Sequence, residues 1–158
     1  MQDAARPLSG RGEAAARLMG GYMARHSLVP DRVLCSPARR SRETWAAIAA
    51  KWPVDMDVVF DQRLYEATPQ TVLSIVRDQD DAARTLLVIG HNPGVHESAC
   101  RLIAAGEVET RERLNEGLPT SGLAVIDFAA QDWGKVHPRG GRLERFVSPR
   151  SLADAARV

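Results

Sequence analysis

The run Leu86-Leu87-Val88-Ile89 constrains the fold more than any other segment. Four consecutive apolar residues leave no polar face, so a strand here is expected to be covered on both sides, as in the middle of a parallel sheet. It stops at Gly90-His91-Asn92-Pro93-Gly94. Gly90 permits a close backbone approach, and Asn92-Pro93 turns the chain. A helix through Ala99, Leu102 and Ile103 is expected to follow.

The same strand-then-helix alternation occurs earlier. Arg32-Val33-Leu34-Cys35 reads as a short buried strand. It is followed by Ser36-Pro37, which suits a helix start with Ser36 as the cap, and the helix continues through Thr44, Trp45, Ile48 and Ala49 to a stop before Pro53. Val58-Val59-Phe60 is a second short strand, and Thr68-Pro69 opens a helix carrying Val72, Leu73, Ile75 and Val76. Ahead of all these, residues 12–25 place Ala14, Ala15, Leu18, Met19, Tyr22 and Met23 at helical spacing. Residues 106–120 read as a polar loop with a short helical piece; 123–126 and 143–147 read as late strands. Strands alternating with helices predict a three-layer α/β/α sandwich. A chain of 158 residues suits one domain spanning 1–158.

Composition removes several classes of function. The formal net charge is +1, which gives no bulk attraction to nucleic acid or an anionic membrane. No apolar run is long enough to span a bilayer, and the amino end has no signal-peptide pattern, so a cytoplasmic location is expected. Cys35 and Cys100 are far apart in apolar surroundings and are expected as reduced, buried thiols. Nothing demands more than a monomer.

Ligands of parallel sheets bind at the carboxyl ends of the strands. Two strands here end in chemically pointed residues. Ser36-Pro37-Ala38-Arg39-Arg40-Ser41-Arg42-Glu43-Thr44 puts three arginines in the first turns of a helix. Guanidinium forks and a helix amino end together suit a phosphoryl group; the alternative is a solvated arginine face. His91 projects from the end of the second strand, either into the same crevice or as a structural turn residue.

Taken together, these segments resemble the histidine phosphatase superfamily. Residues 36–44 are similar to its second-arginine motif, with Arg40 as the matching arginine, and Gly90-His91-Asn92 to its second-histidine motif. Arg6-Pro7-Leu8, Leu64-Tyr65-Glu66-Ala67 and Pro119-Thr120-Ser121-Gly122 resemble further segments of the phosphohistidine phosphatase branch, the SixA-like proteins, in the right order. The resemblance implies a phosphoglycerate mutase-like fold with a mostly parallel sheet. It also implies a phosphatase acting on phosphohistidine, protein-borne or small, or on small phosphate monoesters, through a phosphohistidine intermediate and with no metal or other cofactor. Arg6, Arg40, His91 and Asn92 would bind phosphate, with Arg40 and His91 catalytic and Glu66 the candidate general acid.

In such proteins the nucleophilic histidine ends the first strand, ahead of the arginine-proline-leucine stretch. Only Met1 to Ala5 precede Arg6 here, with no apolar strand and no histidine. Arg25-His26 follows a helical pattern and reads as a helix end. The first strand is therefore expected to be missing, as in a chain begun at an internal Met1. Its two neighbours should then carry unpaired backbone groups. The alternative function is a phosphate-binding pseudoenzyme or interaction module without turnover.

Overall fold

A computed structural model describes residues 2–52 and 55–155. After a 3-10 turn at Asp3–Ala5, the elements run α1 (Gly10–Arg25), β1 (Arg32–Cys35), α2 (Arg39–Ala49), β2 (Asp57–Phe60), α3 (Pro69–Arg77), β3 (Leu86–Ile89), α4 (Gly94–Leu102), β4 (Ile103–Gly106), α5 (Val108–Glu116), β5 (Leu123–Phe128), β6 (Gly141–Val147) and α6 (Pro149–Ala155).

The strands form two three-stranded sheets, ordered β2-β1-β3 and β4-β6-β5. The first is wholly parallel, and its ladders extend past the strand ends through Ser36 N–H to the Ile89 carbonyl and Asp61 N–H to the Cys35 carbonyl. In the second, β4 runs parallel to β6 and β5 antiparallel to it.

Burial corrects the expectation for residues 86–89. The strand covered on both faces and both edges is β1, where Val33, Leu34 and Cys35 are fully buried between β2 and β3. Among the described residues β3 is an edge, and Leu86, Leu87 and Val88 are only half-buried. Four apolar residues in a row are compatible with either place, because the run records what covers the faces and not what pairs with the edge.

The three layers follow from period-2 alternation on β1. Val33 and Cys35 face a cluster containing Ala16, Met19 and Met23 of α1 and Ala47 and Ile48 of α2, with Leu152 of α6 against it. Leu34 faces the opposite way, onto Leu64 and the α3 residues Val72 and Ile75. The second sheet has its own cover on that side, with Ala99 of α4 and Leu114 of α5 on Leu143. The core is thus continuous across both sheets on the α1 side and divided on the other. Leu87 and Ile89 of β3 share the continuous cluster with Leu123 and Val125 of β5. Among the described residues each of these strands has one hydrogen-bonded neighbour, and they are not paired with each other.

Other boundaries differ from expectation in ways with local causes. α2 begins at Arg39, not at Ser36-Pro37. Ser36 extends the strand ladder instead, and its hydroxyl accepts from Ala38 N–H at 3.3 Å. α4 ends at Leu102 and Ile103 opens β4. Residues 108–116 form a helix despite few apolar residues, anchored by the single buried Leu114. α6 is held by Leu152, which packs on the main cluster. The cap at Thr68 is as expected, its hydroxyl accepting from Thr71 N–H, and α1 starts two residues early under a Ser9 cap.

Candidate phosphate site

β1 and β3 are adjacent and parallel, so their carboxyl ends deliver Ser36 and His91 to one place. The His91 ring lies 2.8 Å from Ser36 Oγ through Nε2, with Ser41 Oγ at 3.4 Å. Its Nδ1 lies 3.2 Å from a terminal nitrogen of Arg40. A guanidinium can only donate, so Nδ1 accepts and the proton of the neutral ring resides on Nε2, donated to Ser36. Burial, reinforced by the Arg40 charge, holds the His91 pKa below the usual 6.5 and favours that neutral form.

Arg40 sits in the first turn of α2 and reaches beyond His91. One terminal nitrogen donates to the Asp3 carbonyl at 2.9 Å, and the other bonds the Asp3 carboxylate at 3.2 Å. Arg6 pairs with the same carboxylate at 2.9 Å, and the Tyr65 hydroxyl donates to it. The Tyr65 hydrogen bond is the main cause that holds the Asp3 carboxyl below the ordinary carboxylate range. In return it pushes the Tyr65 hydroxyl up. Tyr65 also stands edge-on to His91, ring centres 5.3 Å apart. The result is one carboxylate held by two guanidiniums and a phenol beside a neutral imidazole.

Arg40 thus contacts His91 directly, and Arg6 is linked to the pair through the Asp3 carboxylate. Asn92 is turned to other work: its amide nitrogen donates to the Leu118 carbonyl at 2.7 Å and its oxygen accepts from His96 N–H at 3.2 Å. Glu66 is exposed, with a left-handed backbone at φ 54° and no side-chain hydrogen bond or ion pair among the described residues. Arg39 pairs with Glu43, and Arg42 donates to the Pro37 carbonyl, so of the three clustered arginines Arg40 alone turns to His91.

Asp3 and Tyr65 were not singled out from sequence. An acid in a polar amino-terminal stretch carries no periodicity signal; only its three-residue distance from Arg6 hinted at a pair. The remaining histidines lie elsewhere. His26 caps the end of α1 against Tyr22, His96 contacts the Leu114 carbonyl and Cys100, and His137 contacts the Pro138 carbonyl. Cys35 is no nucleophile, because burial pushes its thiol up to about 12; Cys100 is also a free thiol but half-buried. No group of three or more His, Cys, Asp or Glu side chains among the described residues is placed to hold a metal ion. No helix among them is long and apolar enough to cross a membrane.

The profile of the histidine phosphatase superfamily, branch 1, matches residues 2–86, more than half of the chain. The chain belongs to that superfamily. An uncharacterized protein of Mycobacterium tuberculosis strain H37Rv is 37% identical over 147 residues, covering 92% of this chain and 90% of the relative. The structure of a candidate phosphohistidine phosphatase SixA from Nakamurella multipartitia is similar with a TM-score of 0.82 and 25% identity, over 94% of this chain and 88% of that one. The protein histidine phosphatase SixA complexed with tungstate shares the fold at a TM-score of 0.76 and 22% identity, over 96% of this chain and 89% of that one.

Proposed function

We propose that this superfamily member is a SixA-like phosphatase fold in which Arg6, Arg40 and His91 hold the phosphoryl group of a phosphohistidine or a small phosphate monoester. The observation that carries this is the Arg40 guanidinium set 3.2 Å from His91 at the mouth of two parallel strands, with an anionic group already seated on it. A phosphoryl group presents three oxygens where Asp3 presents two, and the guanidinium forks match either. Tungstate, bound by the SixA structure that shares this fold, has the same tetrahedral shape and charge as phosphate.

Turnover by the proposed route needs an attacking histidine. Its nitrogen forms an N–P bond as the bond from phosphorus to the leaving group breaks. Water then cleaves the N–P bond, releasing inorganic phosphate and restoring the imidazole. Arg40 would hold the equatorial oxygens through both steps, and His91 would donate to them from a ring protonated at Nδ1. Glu66, beside Tyr65, is the candidate donor of a proton to an alkoxide. A phosphohistidine leaving group makes less demand on it, since a protonated imidazole has a pKa of about 6.5.

One observation favours a second reading for residues 1–158 as they stand, a phosphate-holding module without turnover. His26, His96 and His137 make their recorded contacts away from Arg40, so His91 is the one imidazole at the clamp. The test compares this chain with a form extended at its amino end by a strand closing in arginine-histidine. Each is given a phosphohistidine-bearing protein and p-nitrophenyl phosphate, and phosphate release and acid-labile phosphoenzyme are measured. Turnover by the extended form alone supports the phosphatase reading with the nucleophile outside residues 1–158. Burst phosphorylation of the 158-residue chain would overturn the second reading. Failure of both forms to bind phosphate would overturn both readings.

A further inference from the structure

The Asp3 carboxylate occupies the donors that the proposed substrate needs. Its Oδ1 takes Arg6 at 2.9 Å and its Oδ2 takes Arg40 at 3.2 Å as well as the Tyr65 hydroxyl. Two of these three donors are the guanidiniums assigned above to phosphate. Asp3 does not drift in from solution. The residues behind it are fastened by the Leu8 N–H to Glu43 bond at 3.0 Å, and Ser9 then caps α1 at 3.0 Å. A tethered carboxylate meets its partners at a high effective concentration, so it competes well with free monoanions.

The strap is also easy to lift. The Asp3 side chain is 42% exposed and the Arg6 side chain 62%, and the Asp3–Ala5 turn buries no residue. Release therefore uncovers little apolar surface. What opposes release is the carboxylate's bonds to the guanidiniums and the phenol, together with the Arg40 bond to the Asp3 carbonyl at 2.9 Å.

Resting on the phosphate reading above, we propose that Asp3 is a built-in competitor, an internal carboxylate that an incoming anion must displace from Arg6 and Arg40. A singly charged anion exchanges one carboxylate for another and loses the tether advantage. A dianionic phosphoryl group brings more charge and a third oxygen to the same donors, so it wins the exchange. Asp3 thereby lowers the apparent affinity for every anion by the same factor, so that only one held strongly by the donors, such as a phosphoryl dianion, fills the site at low concentration. The strap's shape does not depend on the side-chain charge, because Arg40 also binds the Asp3 backbone carbonyl at 2.9 Å.

The experiment titrates the 158-residue chain, Asp3→Asn and Tyr65→Phe with inorganic phosphate and separately with acetate, followed by calorimetry and by the His91 ring signals in NMR. Circular dichroism checks that each variant folds. Asp3→Asn keeps the side-chain shape and removes the competing charge. It is expected to bind phosphate at least fivefold more tightly than the parent and to gain by the same factor for acetate, since both anions displace the same carboxylate. Tyr65→Phe, which loosens Asp3 without touching a guanidinium, is expected to shift both affinities in the same direction by less. Equal or weaker phosphate binding by a folded Asp3→Asn, with the parent still binding, overturns this inference alone and makes Asp3 a holder of Arg40. No phosphate binding by any form overturns the phosphate reading together with it.

Discussion

The Nε2–H of His91 donates to the buried hydroxyl of Ser36 across 2.8 Å, and this single bond sets which ring nitrogen faces Arg40. Ser36 is fully buried, and its own N–H is spent on the Ile89 carbonyl. The strand ladder thus fixes the acceptor that fixes the imidazole.

Ser36→Ala leaves the Nε2 proton with only Ser41 Oγ at 3.4 Å. Loss of a hydrogen bond to a part-buried donor costs about 1–2 kcal/mol. The variant is expected to unfold at a correspondingly lower urea concentration with an unchanged slope. Long-range proton–nitrogen NMR should show a mixture of His91 tautomers in place of the Nε2–H form. A variant that keeps one tautomer would show that Arg40 alone orients the ring.

Arg40→Ala separates the two causes acting on His91. Burial is the larger and persists, while the Arg40 charge is removed. The His91 pKa should therefore rise toward 6.5 in the variant without reaching it, as read by NMR titration. The effect on stability follows from proton uptake. In the parent the unfolded state takes a proton near 6.5 and the folded state only at lower pH, so stability falls as pH drops below about 6.5 and levels off below the folded pKa. Denaturant melts between pH 7.5 and 5 should show this loss in the parent and a smaller one in Arg40→Ala. The same substitution removes a charge-assisted fork from the anion site, and phosphate affinity is expected to fall about tenfold or more.

The parts of this site legible in the sequence were those set by strand ends. Val33 to Cys35 and Leu86 to Ile89 are short apolar runs, and whatever follows such a run in a parallel sheet lies on one rim, which placed Arg40 and His91 together. Edge pairing left no such trace. Leu87 and Ile89 must be apolar to face α1 whether or not a strand pairs alongside, so the division into two sheets could be anticipated only by analogy with the family. Asp3 and Tyr65 were illegible for a different reason. Their meeting spans 62 positions in the chain and depends on how the first turn folds back over α2. The helix at 108–116 was read only as a short helical piece within a polar loop, because one buried leucine gives no periodicity.

Backbone exchange tests the division of the sheet. β1 is paired on both sides, whereas β3 and β5 each have one neighbour among the described residues. Amides of Val33 to Cys35 are expected to exchange at the rate of global unfolding, and those of β3 and β5 faster by at least tenfold. Equal protection of β1 and β3 would mean that the β3 edge is covered in solution. Unpaired edges also invite pairing between chains. If they are open, light scattering should show self-association that rises with concentration.

The contact between α1 and α2 gives a sharper test, because two adjacent glycines have opposite surroundings. A Cβ added to Gly20 would lie 2.1 Å from the Ile48 carbonyl oxygen, backbone that cannot swing aside. The Gly20 carbonyl also accepts from the Trp52 indole at 3.0 Å, so any retreat of α1 strains that bond too. Gly20→Ala is expected to cost about 1–3 kcal/mol or more, as overpacking in a close-packed core does. A Cβ on Gly21 would meet only the end of the flexible Arg25 side chain at 3.2 Å. Replacing glycine by alanine inside a helix stabilises it by up to about 1 kcal/mol when nothing is in the way. Gly21→Ala is therefore expected to be neutral or stabilising. Thermal and urea melts of the two variants side by side decide the matter. Equal effects would show that α1 does not approach the α2 backbone at Gly20.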